Sequence, residues 1–498
     1  APLPLGRAAL GRRKEAKAPR ELQPLAMATP SSEVEGESSR LIGVNVNMNG
    51  SGSTRWADED GEEEPGSTYW TVEDAVDALD WGPFHNKLLI QCGMAWACDA
   101  MEMMLLSFLV PRVVDFFLPD ASPNAVKFYK FSIGAITFAG IWLGCIVFGR
   151  MSDRRGRRTA YFWCTAIVAV FGVLCSFAPN IYVLITLRFM VGVGLGGVTS
   201  AITLFSELVS SKYRGVTIIL SIGALWTFGS LFETCVAWFA FSMPGNQWRL
   251  FLAISAVPSF ALLCVFPWLV ESPRYFMSRG MEEEALKVFR RAARENKKEL
   301  PKNLRLIKPA QNKEAGQLKD LFTPKLRLTT VLLWGLWFLS VVSYYGLCFV
   351  TPLYFQMQHQ NEFIVTLVAA SAEFPGILAC SLMVDRLGRK KTQIIMYAIC
   401  AAFTYMLSFT SLSMGWLTLA ATVARGSSEG AFNQLYVYTP EVYPTAVRNF
   451  SLGICSAVAR VAGILVSYVS FASESGSQAA MAIRLYALAA FVSVVLSW

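Results

Sequence analysis

Charge is scarce in this chain. Only 16% of its 498 residues are Asp, Glu, Lys or Arg, where a soluble globular protein carries roughly 25%. That composition excludes an ordinary water-soluble fold. Histidine is almost missing: His85 and His359 are the only two, too far apart in sequence to suggest a site. All 11 cysteines, from Cys92 to Cys455, fall in or beside apolar blocks, with no CxxC pair and no Cys/His ligand spacing. A disulfide framework and a zinc site are therefore not expected. There is no Ser/His/Asp set, no Walker loop and no GxGxxG turn opening a βαβ unit, so the chain reads as no enzyme, with no cofactor and no metal. Lys and Arg outnumber Asp and Glu by 44 to 36, but the charges cluster in short segments between apolar blocks. That placement marks membrane topology and excludes a nucleic-acid partner.

What the chain has in quantity is apolar length. Hydrophobic residues make up 54% of it and the mean hydropathy is +0.42 despite a polar first 85 residues. Blocks of about 20 apolar residues match the thickness of a bilayer and divide into twelve spans: 87–110, 128–149, 159–178, 180–200, 215–241, 250–270, 329–351, 362–384, 392–411, 416–438, 449–471 and 480–498. Residues 1–68, basic at Arg7 to Lys17 and acidic from Asp58 to Glu64, read as a disordered segment. In 69–86, Thr71 and Asp74 form a capping box for a short amphipathic helix carrying Val72, Val76 and Leu79, expected at the membrane surface. The remaining organisation is a six-helix half over 87–276, a polar central loop over 277–328 and a second six-helix half over 329–498, whose last span runs to the final residue, so that a further tail is expected. The string Gly192, Gly194, Gly196 and Gly197 follows apolar helix and reads as close helix packing.

Positive charge alternates from loop to loop. Arg150, Arg154, Arg155, Arg157 and Arg158 follow span 2; Arg386, Arg389, Lys390 and Lys391 follow span 8; the central loop carries a basic series from Arg274 to Arg327. The positive-inside rule then places both termini and the central loop in the cytosol of a plasma, vacuolar or vesicular membrane. The two halves also repeat. Asp153-Arg-Arg-Gly-Arg-Arg158 recurs 232 positions later as Asp385-Arg-Leu-Gly-Arg-Lys390, Arg188 matches Arg425 at 237, and Glu207 with Arg214 matches Glu441 with Arg448 at 234. An even number of spans per half gives both halves one orientation. The expected fold is an all-α membrane protein of twelve transmembrane helices, arranged as two six-helix parallel-repeat halves.

These residues carry a resemblance. Gly149 to Arg158 resembles the loop signature of the major facilitator superfamily, and Glu271-Ser-Pro-Arg274 ends the first half as in sugar porters and organic-ion transporters. Ala97-Cys-Asp-Ala-Met-Glu-Met-Met104, Ser343-Tyr-Tyr-Gly346, Glu373-Phe-Pro-Gly376 and Tyr438-Thr-Pro-Glu-Val-Tyr-Pro-Thr445 resemble the synaptic vesicle 2-related (SVOP-like) branch, which includes plant organic cation/carnitine transporters and bacterial nicotinate transporters. The resemblance implies a secondary transporter working by alternating access, with spans 1, 4, 7 and 10 lining a central cavity. A small organic ion and protons are the implied partners within the lipid bilayer.

An ionised side chain at bilayer depth costs about 2.5 to 3.5 kcal/mol on insertion scales, so it persists when paired or needed. Eight lie at that depth: Asp99, Glu102, Glu233, Glu373 and Glu429 against Arg188, Arg425 and Arg460. If every arginine takes one acid, two acids remain. Asp99 and Glu102, at i and i+3, share a helix face. Asp99 with Arg188 resembles the proton-coupling pair of sugar porters, and the alternative is a fixed structural ion pair. Arg460 resembles the span 11 arginine of organic anion transporters and would dock a carboxylate, the alternative being a pair with Glu373 or Glu233. Arg425 and Glu429, at i and i+4, are expected to satisfy each other. Substrate contact is expected of Arg460, Tyr345, Tyr436, Glu102 and Glu373. Gating is expected of Gly149, Asp153, Arg154, Gly156, Arg157, Arg158, Asp385, Arg386, Gly388 and Arg389, with Glu207, Arg214, Glu441 and Arg448, through ion pairs between the halves. The favoured cargo is a nicotinate-like carboxylate or zwitterion in symport with protons. The alternatives are a carnitine-type organic cation held by Asp99 or Glu102, and a transporter-shaped vesicle protein without turnover.

Overall fold

The computed structural model describes residues 68–307, 318–409, 411–444, 447–473 and 475–498, apart from the side chains of 211, 214–222, 448 and 449. The expected disordered segment thus lies, but for residue 68, outside the described residues.

Twelve helical segments follow in chain order at the twelve expected places. They are Pro83–Phe117, Pro123–Arg155, Arg157–Ser176, Ile181–Leu208, Ser211–Phe241, Trp248–Trp268, Arg327–Met357, Glu362–Leu387, Arg389–Leu407, Met414–Val442, Arg448–Phe471 and Gly476–Ser497, called spans 1 to 12 below. Among the described residues nine of them are long and apolar enough to cross a membrane; spans 1, 9 and 10 are not in that group. Spans 1 and 10 hold Asp99, Glu102, Arg425 and Glu429, and span 9 opens on Arg389, Lys390 and Lys391. Their polarity faces protein, since all four of those span 1 and span 10 side chains are buried.

Several spans outrun their apolar blocks. Span 1 passes Pro111 to reach Phe117, and span 7 passes Pro352 to reach Met357. Other spans break where the chain removes a backbone donor or a Cβ. Span 8 interrupts at Ala372, where Pro375 leaves the Ser371 carbonyl without its partner, and span 6 at Ala256, two residues before Pro258. Span 4 breaks after Leu195 within the glycine string. A Cβ on Gly192 would run into the Thr137 carbonyl, so spans 2 and 4 pack backbone to backbone there, as the string implies.

The halves are related as their sequences are. Span 2 packs on span 11, span 5 on span 8, and span 1 on span 7, the exchange expected of two parallel repeats. The repeated loops share one backbone geometry: Gly156 has φ 98° and ψ 157°, and Gly388 has φ 81° and ψ 169°. Both lie in the left-handed region that a side chain disfavours.

Before span 1, strand β1 (Thr68–Trp70) pairs in parallel with β2 (Leu304–Leu306) of the central loop. Helix α1 (Val72–Leu79) has the capping box in full: Asp74 N donates to Thr71 Oγ1 at 3.1 Å and Thr71 N to Asp74 Oδ2 at 3.0 Å. Its stripe Val72, Ala75, Val76 and Leu79 is buried, and α1 packs on central-loop helix Glu282–Asn296. The described part of the central loop is therefore structured where the sequence offers only polarity. Its helix has three glutamates in the first turn and Arg294 in the last, matched to the helix dipole.

Candidate functional site

The buried charges gather where spans 1, 4, 5, 7, 8, 10 and 11 meet, and they pair differently from the sequence expectation. Arg188 Nη1 donates to Glu102 Oε2 at 2.8 Å, and its Nε to Cys175 Sγ at 3.2 Å. The partner of Arg188 is Glu102 and not Asp99, one helical turn being enough to exchange them. In the other half Arg425 Nε donates to Glu373 Oε1 at 2.6 Å, and Tyr344 Oη donates to the same oxygen at 2.9 Å. Arg425 does not pair with Glu429. That carboxylate accepts instead from Asn433 Nδ2 at 2.5 Å, its neighbour at i+4. Span 8 approaches span 10 closely enough to take the arginine: a Cβ on Gly376 would strike the Gly426 carbonyl.

Glu233 has neither arginine as an ion-pair partner; Ser255 Oγ donates to its Oε1 at 2.7 Å. Arg460, expected to reach Glu373 or Glu233 if it was structural, pairs with neither. Its Nε and the Oδ1 of Asp99 have no hydrogen-bond partner, although the two groups act on each other electrostatically. Of the three buried arginines, Arg460 is thus the one without an ion pair among the described residues.

Arg460 lines a cavity between the halves with Trp96, Trp226, Tyr345, Glu429, Phe432, Asn433 and Tyr436. The cavity measures about 10 Å³, the room that one water needs, so an organic ion enters only if the halves part. Of the five expected substrate contacts, Arg460, Tyr345 and Tyr436 line it. Glu102 and Glu373 do not, being engaged by Arg188 and Arg425. Tyr436 packs on Trp96 at 6.0 Å and Trp337 at 4.7 Å between centroids, and Tyr345 on Phe138 at 5.6 Å.

Phe432, Asn433 and the carboxylate of Glu429 are cavity groups outside the expected substrate contacts. The signal was there on span 10, where Arg425, Glu429, Phe432, Asn433 and Tyr436 recur at helical spacing. Two ties across the halves also have no signal in the sequence: Trp226 Nε1 donates to Tyr344 Oη at 2.5 Å, and Arg112 Nη2 meets Glu362 Oε1 at 2.8 Å. The second lies at the face opposite the repeated loops, where Ser107 Oγ also donates to the Cys348 carbonyl at 3.2 Å.

At the repeated loops the ion pairs close within each half, where pairs between halves are expected. Arg157 meets Asp153 at 3.5 Å and Glu207 at 3.3 Å, and Arg389 holds both oxygens of Glu441 at 2.8 Å. Asp385 and Arg386 are exposed, Asp385 acting on Arg389 through its charge. Ser272 Oγ donates to Glu207. The Glu271 carboxylate accepts from the Arg158 amide at 3.0 Å and caps span 3. Burial raises its pKa above the ordinary range, against the pull of the Ser272 and Arg158 amides. The Arg154 carbonyl accepts from Arg279 at 2.6 Å, and Gly149 is exposed. The side chains of Arg214 and Arg448 lie outside the described residues.

The sugar (and other) transporter family matches residues 112–497. The chain belongs to this family of the major facilitator superfamily. Its members are transporters, not enzymes. Synaptic vesicle 2-related protein of Bos taurus is 36% identical over 82% of this chain and 76% of its own length. Organic cation/carnitine transporter 7 of Arabidopsis thaliana is 33% identical over 86% and 93%. Niacin transporter NiaP of Acinetobacter baylyi is 29% identical over 84% and 95%. Among solved structures, the xylose transporter XylE from E. coli in a partially occluded inward open conformation covers 83% of this chain and 99% of its own, with a TM-score of 0.67 at 17% identity. That likeness bears on the fold, which is the superfamily's. This chain is an integral, multi-pass membrane transporter of the synaptic vesicle 2-related, carnitine and niacin transporter kind.

Proposed function

We propose that the chain is a secondary active transporter that moves a small organic acid or zwitterion of nicotinate-like chemistry, in symport with protons. The observation that carries this reading is Arg460, a buried guanidinium with no ion pair among the described residues, which lines the cavity together with aromatic rings. A guanidinium binds a carboxylate through two parallel hydrogen bonds, and Trp96, Trp226, Tyr345 and Tyr436 offer faces for a flat ring. Asp99 supplies the coupling. Ionised, it competes with a substrate carboxylate for Arg460; protonated, it releases that charge to the substrate, so that one proton and one carboxylate enter together. Arg188 serves this step indirectly by holding Glu102 beside Asp99 on span 1. Gating falls to the repeated loops on one face and to Arg112 with Glu362 on the other, and the basic loops support a cytosolic position for both termini, in a plasma, vacuolar or vesicular membrane.

A second reading rests on Glu429, which lines the same cavity and has no ion pair among the described residues. With Trp96, Trp226 and Tyr436 it would hold a quaternary amine through its charge and the ring faces. Uptake into proteoliposomes under an imposed pH gradient separates these readings. Nicotinate accumulation that follows the gradient and fails in Arg460→Ala supports the first. Carnitine uptake that survives Arg460→Ala but fails in Glu429→Gln supports the second. Absence of uptake for acids, amines and zwitterions alike, in protein that binds them, identifies a binding protein without turnover.

A further inference from the structure

A second cavity, far larger than the first, opens on the outside of the first half. It is a groove of about 830 Å³ between spans 1, 5 and 6, a volume typical of small-molecule sites. Phe84, Leu88, Gln91, Met94 and Met101 supply one wall at i, i+4, i+7, i+10 and i+17, a single stripe of span 1. Trp96 lies off that stripe and lines the central cavity instead. Phe228 and Val257, half or more exposed, form part of the rim. Such a surface faces hydrocarbon in a membrane, so its ordinary occupant is an acyl chain.

One end is not apolar. There Lys87 Nζ meets Glu295 Oε2 at 3.0 Å, Arg291 Nε meets Glu295 Oε1 at 3.2 Å, and Arg291 Nη2 donates to the Trp268 carbonyl at 2.9 Å. Two cations against one carboxylate leave the mouth with one net positive charge. Lys87 is 69% exposed, with Glu295 as its only partner among the described residues. Trp268, 62% exposed, stands at the same level, where indole rings mark the membrane interface. The mouth also lies on the face of the repeated basic loops, since span 1 begins and span 6 ends there.

We infer that this groove is a binding site for one anionic phospholipid, taken from the leaflet on the basic-loop side. Its acyl chain lies along the span 1 stripe, and its phosphate sits on Lys87 and Arg291. Basic pockets between transmembrane helices select anionic headgroups in this way. The site stands apart from the central cavity, and the inference holds whatever the cargo is.

The test is native mass spectrometry of the purified, delipidated full chain titrated with phosphatidylglycerol or phosphatidylcholine of the same acyl chains. The wild type should bind phosphatidylglycerol more tightly. In the double variant K87Q/R291Q that affinity should fall roughly 30-fold, to the phosphatidylcholine level, since each cation near the surface contributes about one further factor of five. Ala261, an exposed groove residue, allows a second variant: Ala261→Trp should fill the groove and displace both lipids. Equal binding of the two lipids by the wild type would overturn the inference, and that comparison needs no variant to fold. Unchanged phosphatidylglycerol binding in K87Q/R291Q would overturn it too, as would displacement of the lipid by glycerol phosphate alone, which marks a site for soluble phosphates.

Discussion

The sharpest consequence of the charge pairing is that neutralising two buried charges in the seam should have opposite effects on folding and on binding. Arg460 is 7% exposed and has no ion pair among the described residues, and the acid it acts on is Asp99. Replacing Arg460 by Ala leaves a carboxylate that can take up a proton and become neutral, so the fold should survive. Glu102 is different. Its loss strands Arg188, which is fully buried with Cys175 as its remaining hydrogen-bond partner among the described residues, and a guanidinium cannot shed its charge. Breaking a buried pair on one side costs about 3 to 5 kcal/mol. Arg460→Ala should therefore keep a melting temperature near that of the wild type, while losing about 10- to 150-fold in affinity for nicotinate, the worth of one charge-assisted bond at 1.5 to 3 kcal/mol. Arg460→Lys should retain part of that affinity. Glu102→Gln should lower the melting temperature steeply. Thermal unfolding in detergent and equilibrium binding of labelled nicotinate measure the two effects on the same preparations. Nicotinate binding unchanged in Arg460→Ala, or equal stability of Arg460→Ala and Glu102→Gln, would refute the reasoning.

Asp99→Asn mimics the protonated acid, so exchange of substrate across the membrane should continue while accumulation against a gradient stops; proteoliposome counterflow beside net uptake shows whether it does. Asp153 pairs with Arg157 at 3.5 Å and is 78% exposed, a pair worth at most a fraction of a kcal/mol to stability. Asp153→Asn and Asp385→Asn should slow turnover several-fold with affinity and melting temperature unchanged, and equal loss of binding and transport would count against a gating role. Gly156→Ala and Gly388→Ala each incur about 1 to 3 kcal/mol of positive-φ backbone strain, but at Gly156 the new methyl also meets the Glu271 carboxylate, whereas the space at Gly388 is open. The melting temperature should fall further for Gly156→Ala. Arg112→Ala removes a partly buried tie to Glu362, and a double-mutant cycle of the two on thermal stability should show a coupling of about 0.5 to 3 kcal/mol; a coupling of zero would mean the pair does not hold that face closed.

The places and order of the helical segments and the repeat were legible in the sequence because each rests on local physics. Apolar length is set by bilayer thickness, and the loops Asp153 to Arg158 and Asp385 to Lys390 needed their glycines for the same left-handed turn at Gly156 and Gly388. The capping box at Thr71 and the glycine packing of span 4 were equally local. Pairing across the seam was not. Asp99 and Glu102 are one turn apart, so which of them meets Arg188 depends on the rotation of span 1 against span 4, which no spacing records. Arg425 had a plausible partner on its own helix, but the close approach of spans 8 and 10 at Gly376 and Gly426 brought Glu373 within 2.6 Å instead. Only the tertiary structure left Arg460 unpaired in the cavity, folded the central loop over α1, and opened the groove beside Lys87 and Arg291. Each of those depends on residues hundreds of positions apart meeting across helix faces, and in a membrane that choice is made by packing, because hydrophobicity favours every apolar face alike.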